Sequence, residues 1–343
     1  MKQIRVFLFL ILASTSAFSQ STVGGLHLNT SPDARSAGMG NTGVATSPDE
    51  FSQFWNPAKL VLIQNNYAGS VSYTPPMNSG VGRSIYATGY KQIHQNLAVG
   101  MSLNYLSNGN INLRDEIGTN TGTFSPNEFG IDISVSKKFT HEFSMGYTAR
   151  YIKSDMFEYT YNGAIQSAHT IAVDVGALYK HMLSASSLSF GVVLSNLGSK
   201  LNYGNGTLKF LPANLRMGIN YDTGGDNSFN IGLEFNKLLV SSTINTTFET
   251  SVLSNMASSF STSNGGLKNF NVGLGSEYTF AGQFILRSGL NFRNTETWNL
   301  AFGTAGFGFI ANKLRFNMSY AIPINNQQFL TSNRFKLSLG MMF

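Results

Sequence analysis

Along most of the chain, hydrophobic and polar residues alternate one for one. At its end Phe335, Leu337, Leu339, Met341 and Phe343 share one parity, and Arg334, Lys336, Ser338 and Gly340 the other. The stretch before it sets Leu314, Phe316, Met318, Tyr320 and Ile322 against Arg315, Asn317, Ser319 and Ala321. A third sets Phe270, Val272, Leu274, Tyr278 and Phe280 against Asn271, Gly273, Gly275, Glu277 and Thr279. A period of two puts successive side chains on opposite faces of a β-strand, so each segment has one apolar face and one that is polar or glycine.

Fourteen such segments are predicted, at about 67–73, 84–91, 97–106, 128–139, 143–155, 168–180, 188–197, 213–221, 227–236, 269–280, 284–292, 299–310, 314–322 and 334–343. Most approach the ~9–11 residues with which a tilted strand crosses a bilayer. The second, fourth and later even connections are short, whereas the odd ones are nearly all long. That asymmetry separates tight periplasmic turns from long outer loops, as in an outer-membrane barrel. A soluble sandwich has no reason to segregate its loops in this way. Tyr73, Tyr105, Tyr151, Tyr221, Phe280 and Phe292 fall near strand ends, where interface girdles sit. The expected fold is therefore all-β: a transmembrane outer-membrane β-barrel of about fourteen antiparallel strands over 67–343, with both termini on the periplasmic side.

Composition sharpens this. Only 12% of residues are charged, about half the ~25% of a soluble globular protein, yet 13% are aromatic and mean hydropathy is −0.04. A bundle of transmembrane helices would be far more hydrophobic, and a disordered polyelectrolyte far more charged. Two-faced strands account for both values. There is no cysteine, which excludes disulfides and thiolate chemistry.

Residues 1–19 read as a secretory signal peptide. Lys2 and Arg5 precede an apolar stretch from Val6 to Ala13, and Ala17-Phe18-Ser19 forms a cleavage site before Gln20. Its loss lowers the net charge from +6 to +4, too little and too scattered for a nucleic-acid partner. Export through a cleaved leader to the outer membrane of a Gram-negative-type bacterium is the expected address.

Residues 20–66 do not alternate. They either fold into the lumen as a plug or hatch or form an exposed periplasmic arm. The lumen is expected, because about fourteen strands enclose more space than small side chains fill. Candidate plug residues are Asp33, Arg35, Gly38, Gly40, Asp49, Trp55, Asn56 and Pro57. On the polar faces of strands lie Asp132, Arg150, Asp174, Arg216, Glu234, Glu277, Arg287, Arg315 and Lys336. Their mixed signs point to pairing in the lumen and with Asp33, Arg35 and Asp49, rather than to a conducting path. The longest loop, 237–268, is rich in Ser, Thr and Asn but carries Leu238, Phe248, Leu253, Met256 and Phe260. A solvated loop has no need of these, so a lid or docking surface is expected there, with packing on its own barrel mouth the alternative.

Catalytic signals are weak. Gly38-Met39-Gly40-Asn41-Thr42-Gly43 matches a dinucleotide fingerprint in letters only, without the βαβ unit or the acid that the motif requires. Tight turns in a plug explain its glycines. His27, His94, His141, His169 and His181 show no ligand spacing, and neither a nucleophile elbow nor a zinc-protease motif occurs. No cofactor, metal or enzymatic activity is expected.

The stretch Asp33-Ala34-Arg35-Ser36-Ala37-Gly38-Met39-Gly40, followed by Val44-Ala45-Thr46-Ser47-Pro48-Asp49 and Phe54-Trp55-Asn56-Pro57-Ala58-Lys59, resembles the N-terminal signature of the PorV family. Leu211 to Gly218, Gly275 to Gly289 and Leu314 to Pro323 match in order. These are outer-membrane proteins of the type IX secretion system, a branch of the FadL-like fourteen-stranded barrels. The resemblance implies a non-enzymatic protein that covers the lateral opening of a giant translocon barrel. It would collect secreted substrates by their C-terminal signal domains and pass them to the attachment complex containing the sortase. In the FadL-like branch proper, the same barrel carries hydrophobic small molecules past an N-terminal hatch, which is the alternative function.

Overall fold

A computed structural model describes residues 23–76, 82–115, 117–156, 167–204, 208–240, 251–261, 269–294, 299–324 and 335–343. The expected leader, residues 1–19, therefore lies outside the described residues. Fourteen strands close into one barrel. They are β1 (Tyr67–Thr74), β2 (Arg83–His94), β3 (Leu97–Ser107), β4 (Asn127–Lys138), β5 (Phe143–Asp155), β6 (Ala168–Met182) and β7 (Ser187–Gly198). The circuit continues with β8 (Asn214–Asp222), β9 (Ser228–Leu238), β10 (Phe270–Phe280), β11 (Phe284–Asn294), β12 (Asn299–Ala311), β13 (Leu314–Pro323) and β14 (Phe335–Met342). Each strand pairs antiparallel with the next, and β14 closes on β1. The strand ends fall close to those the alternation predicts.

Closure satisfies the backbone. No sheet edge is left facing hydrocarbon, where an unpaired N–H or C=O has no water to bond. At the seam Val71 lies between Leu339 and Ala87, in a register unbroken along both of its neighbours. The alternation becomes two surfaces. Val71, Ile133, Leu286 and Leu339 are 50%, 58%, 62% and 55% exposed, while Ser70, Ser72, Ser134, Ser136 and Ser338 between them are buried. Tyr73, Tyr151, Tyr221, Phe280 and Phe292 are exposed and Tyr105 half-buried.

Short turns at 95–96, 139–142, 183–186, 223–227, 281–283 and 312–313 gather at one end. The connections at 75–82, 108–126, 156–167, 199–213, 239–269 and 324–334 at the other end are long, and only 295–298 there is short. Two small ribbons occupy the long connections: Ile111–Arg114 pairs with Asn120–Phe124, and Leu201–Asn202 with Leu208–Lys209. Opposite Val173–Val175 of β6, β7 carries an extra residue between Leu194 and Leu197, and in this bulge Asn196 adopts a left-handed φ of 59° and donates its N–H to Asp174. Asparagine tolerates that conformation better than most residues.

Before β1 the chain folds into short pieces: a 3₁₀ turn at Leu26–Asn29, helices α1 (Ala34–Gly38) and α2 (Ser52–Trp55), and a second 3₁₀ stretch at Pro57–Leu62. Their side chains supply much of the buried apolar volume, including Met39, Val44, Phe51, Phe54, Trp55, Leu60 and Val61. Hydrogen bonds tie this segment to strands from β2 to β14.

Candidate functional site

The lumen is organised around Arg35. Asp33 caps α1 by accepting from the Ser36 N–H at 2.7 Å, and the Ala34 N–H donates to Ser338 Oγ at 2.9 Å. These bonds hold the first turn of α1 and aim Arg35 across the barrel. Its Nε and Nη2 donate to the two oxygens of Glu277 at 3.0 and 2.8 Å, and its Nη1 donates to Asp49 at 2.9 Å. Glu277 also accepts from Arg287 at 2.6 Å. Two cations and two carboxylates thus share one buried cluster, in which a planar fork matches a carboxylate edge. Asp33 does not join it. Its second oxygen accepts from the Trp55 indole N–H at 2.7 Å, so it ties α1 to α2 rather than to a strand cation.

After α1 the chain must pass close to the wall. Gly40 has φ of +66°, and a Cβ there would sit 2.5 Å from the Leu290 carbonyl oxygen. Glycine is required on both counts. The Gly40 N–H donates to Thr304 Oγ1, which in turn donates to the Gly38 carbonyl at 2.8 Å, while Asn291 donates to the Gly40 carbonyl at 2.8 Å. The glycine-rich stretch is therefore a wall-hugging turn. Immediately beyond, the Gly43 and Val44 N–H groups donate to one oxygen of Glu234 at 2.7 and 2.9 Å.

Asn56 and Pro57 open the second 3₁₀ stretch. The Asn56 side chain accepts from the Ala58 N–H at 3.0 Å and donates to the Val44 and Ala177 carbonyls at 3.1 and 3.0 Å. The Pro57 position lacks an N–H that would otherwise need a partner. Ser136 and Ser144 donate to the Ala58 carbonyl, and Lys59 donates to the Gly43 carbonyl at 2.7 Å. Burial pulls the Lys59 ammonium down to about 8. Burial, with Asp49 beside it, pushes the Asp33 carboxyl up. For Asp49 the effect of burial is outweighed by Arg35 and Lys59, which hold it below the usual range.

The remaining strand charges divide. Arg150 donates to Asp132 at 2.7 Å and to Asp174 at 3.1 Å, and also bonds Asn196 from the bulge. Arg315 meets Glu50 of the segment at 3.5 Å, and Lys336 donates to Thr74 at 2.9 Å. Arg216 has no ion pair among the described residues. It lies over the Phe54 and Trp55 rings, 5.4 Å from each centroid.

Two residues outside the predicted set prove to anchor the segment. His27 donates its N–H to Glu128 and bonds the same carboxylate through Nδ1, both at 2.8 Å, and Glu128 accepts from Ser154 at 2.9 Å. Both are buried, and they stand 101 positions apart, so spacing carries no signal of the pair. Among the described residues no cluster of three or more His, Cys, Asp or Glu could hold a metal ion.

Of the loop candidates, Leu238 ends β9 and is half-buried, and Phe248 lies outside the described residues. Leu253 and Met256 belong to a helix, α3 (Val252–Ser258), followed by Phe260. Leu253 is 75% and Phe260 56% exposed, and Met256 is half-buried.

The toluene transporter TbuX of Ralstonia pickettii superposes with a TM-score of 0.60 at 13% identity, over 91% of this chain and 98% of that one. The Pseudomonas putida toluene transporter TodX gives 0.59 at 11%, over 90% and 96%. A Pseudomonas aeruginosa FadL homologue gives 0.54 at 12%, over 92% and 99%. At such identities the likeness establishes the fold, a FadL-like barrel. No curated protein matches the chain. The profile described as Type IX secretion system protein PorV matches residues 17–245, which is more than half of the chain. The chain belongs to the PorV family, whose members are outer-membrane proteins of type IX secretion.

Proposed function

We propose that this barrel acts by protein contact: it binds the giant translocon barrel, takes secreted substrates by their C-terminal signal domains, and passes them to the sortase-containing attachment complex. The observation that carries this reading is the family match over residues 17–245. Residues 1–19 are removed as a signal peptide, and residues 20–66 act as a plug. The bonds from Ala34, Arg35, Gly40, Gly43, Val44 and Asn56 to the strands support a fixed plug rather than a periplasmic arm. Leu253 and Phe260 are the expected contact residues on the outer side.

The alternative, a channel for hydrophobic small molecules, takes its support from the FadL-like fold. It calls for a lateral gap near the plug, and the unbroken registers of β1 with β2 and β14 weigh against one there. Deleting residues 241–264 tests the docking role. Normal barrel assembly with loss of translocon co-purification is expected, and unchanged co-purification would sink the idea.

A further inference from the structure

Most inward cations among the described residues share one habit. Arg35, Arg150, Arg287 and Arg315 each meet a carboxylate, and Lys59 and Lys336 each donate to a protein oxygen. Arg216 does not. It is only 6% exposed, yet among the described residues its Nε and Nη1 are buried without a hydrogen-bond partner. Glu234 is near, but one of its oxygens is held by the Gly43 and Val44 N–H groups and it forms no ion pair with Arg216.

Arg216 lines a cavity together with Arg293, Asn29, Asn236, Asn271 and Trp55. Among the described residues Arg293 likewise has neither a hydrogen bond nor an ion pair. The cavity holds about 50 Å³, and a neighbouring cavity of about 120 Å³ shares Asn29, Asn236, Asn271 and Arg293 with it and adds Asn214 and Asn269. Both lie at the long-loop end, because β8 and β10 begin there and β9 and β11 end there. A ligand would reach the site from outside the cell.

Two guanidinium groups with one partly engaged carboxylate leave the cavity short of negative charge. A cation is costly to bury without a counter-charge, and a planar oxyanion accepts from a guanidinium fork in paired bonds. The amides around the cavity add neutral donors, and the volume suits a small group with some water. We propose that the outer end of the lumen binds a small oxyanion, of the carboxylate or phosphate class, between Arg216 and Arg293. This goes beyond the secretory reading and does not depend on it.

The test uses full-length barrel in detergent, titrated separately with sodium acetate and sodium phosphate at fixed ionic strength. Heat is followed by calorimetry, and Trp55 fluorescence is followed in a Trp298→Phe background, since the chain has only two tryptophans. Saturable binding of one or both anions is expected, weakened at least tenfold in Arg216→Lys and in Arg293→Gln. Lys91→Gln, on the outer wall, should bind as the parent does. Should the Arg216 variant fail to assemble, Arg293→Gln decides, because that side chain bonds none of the described residues. The proposal is overturned if neither anion saturates, or if both arginine variants bind as tightly as the parent.

Discussion

At the scale of single residues, the lumen depends on charges that are strongly coupled once buried. Arg35 faces Glu277 and Asp49 together, and Arg287 shares Glu277. Removing the guanidinium alone leaves two buried carboxylates without the cation they share, a loss of about 3–5 kcal/mol for a broken buried pair. Arg35→Met should therefore lower the urea midpoint of the barrel in lipid vesicles markedly. Adding Glu277→Gln should recover part of the loss, because the groups belong to one network and their effects do not add. An unchanged midpoint in the single variant would contradict the central place given to Arg35. Much of this was legible in outline: Glu277 and Arg287 lie on polar faces by parity, as do Asp132 and Arg150. What parity could not supply is register, which sets Asp132 opposite Arg150 and Glu277 opposite Arg287. His27 with Glu128 was not legible at all, since His27 sits in a short 3₁₀ turn without periodicity.

At the scale of elements, the strands were readable because each meets lipid on one side and a polar interior on the other. That contrast repeats every second residue for eight to fifteen residues, long enough to register as a pattern. The pieces before β1 are four to six residues long and buried on all sides, so no face is left to reveal a period. Only their caps, Asp33 and Asn56, mark them. The loop asymmetry was equally plain, apart from the connection at 295–298. Because the chain has no cysteine, single introduced thiols can test it. Gly118→Cys, in a long connection, should react with a membrane-impermeant maleimide on intact cells. Thr140→Cys, in a short turn, should react only after the outer membrane is permeabilised. The reverse labelling would invert the orientation.

At the scale of the whole molecule, the low charge and near-zero mean hydropathy come from one arrangement. Apolar side chains cover the outer wall, and serines, asparagines, glycines and paired charges line the interior. The N-terminal segment meets that interior at Ser338, Glu277, Thr304, Glu234 and Ala177, spread from β6 to β14. Such anchoring is compatible with the proposed role, in which partners act on the surface of the barrel. The most direct measurement is affinity purification of the detergent-solubilised protein, with identification of what accompanies it. A giant translocon barrel, a sortase-containing complex or C-terminal signal domains are the expected companions. A solitary barrel carrying co-purified fatty acid would contradict the account and favour the channel.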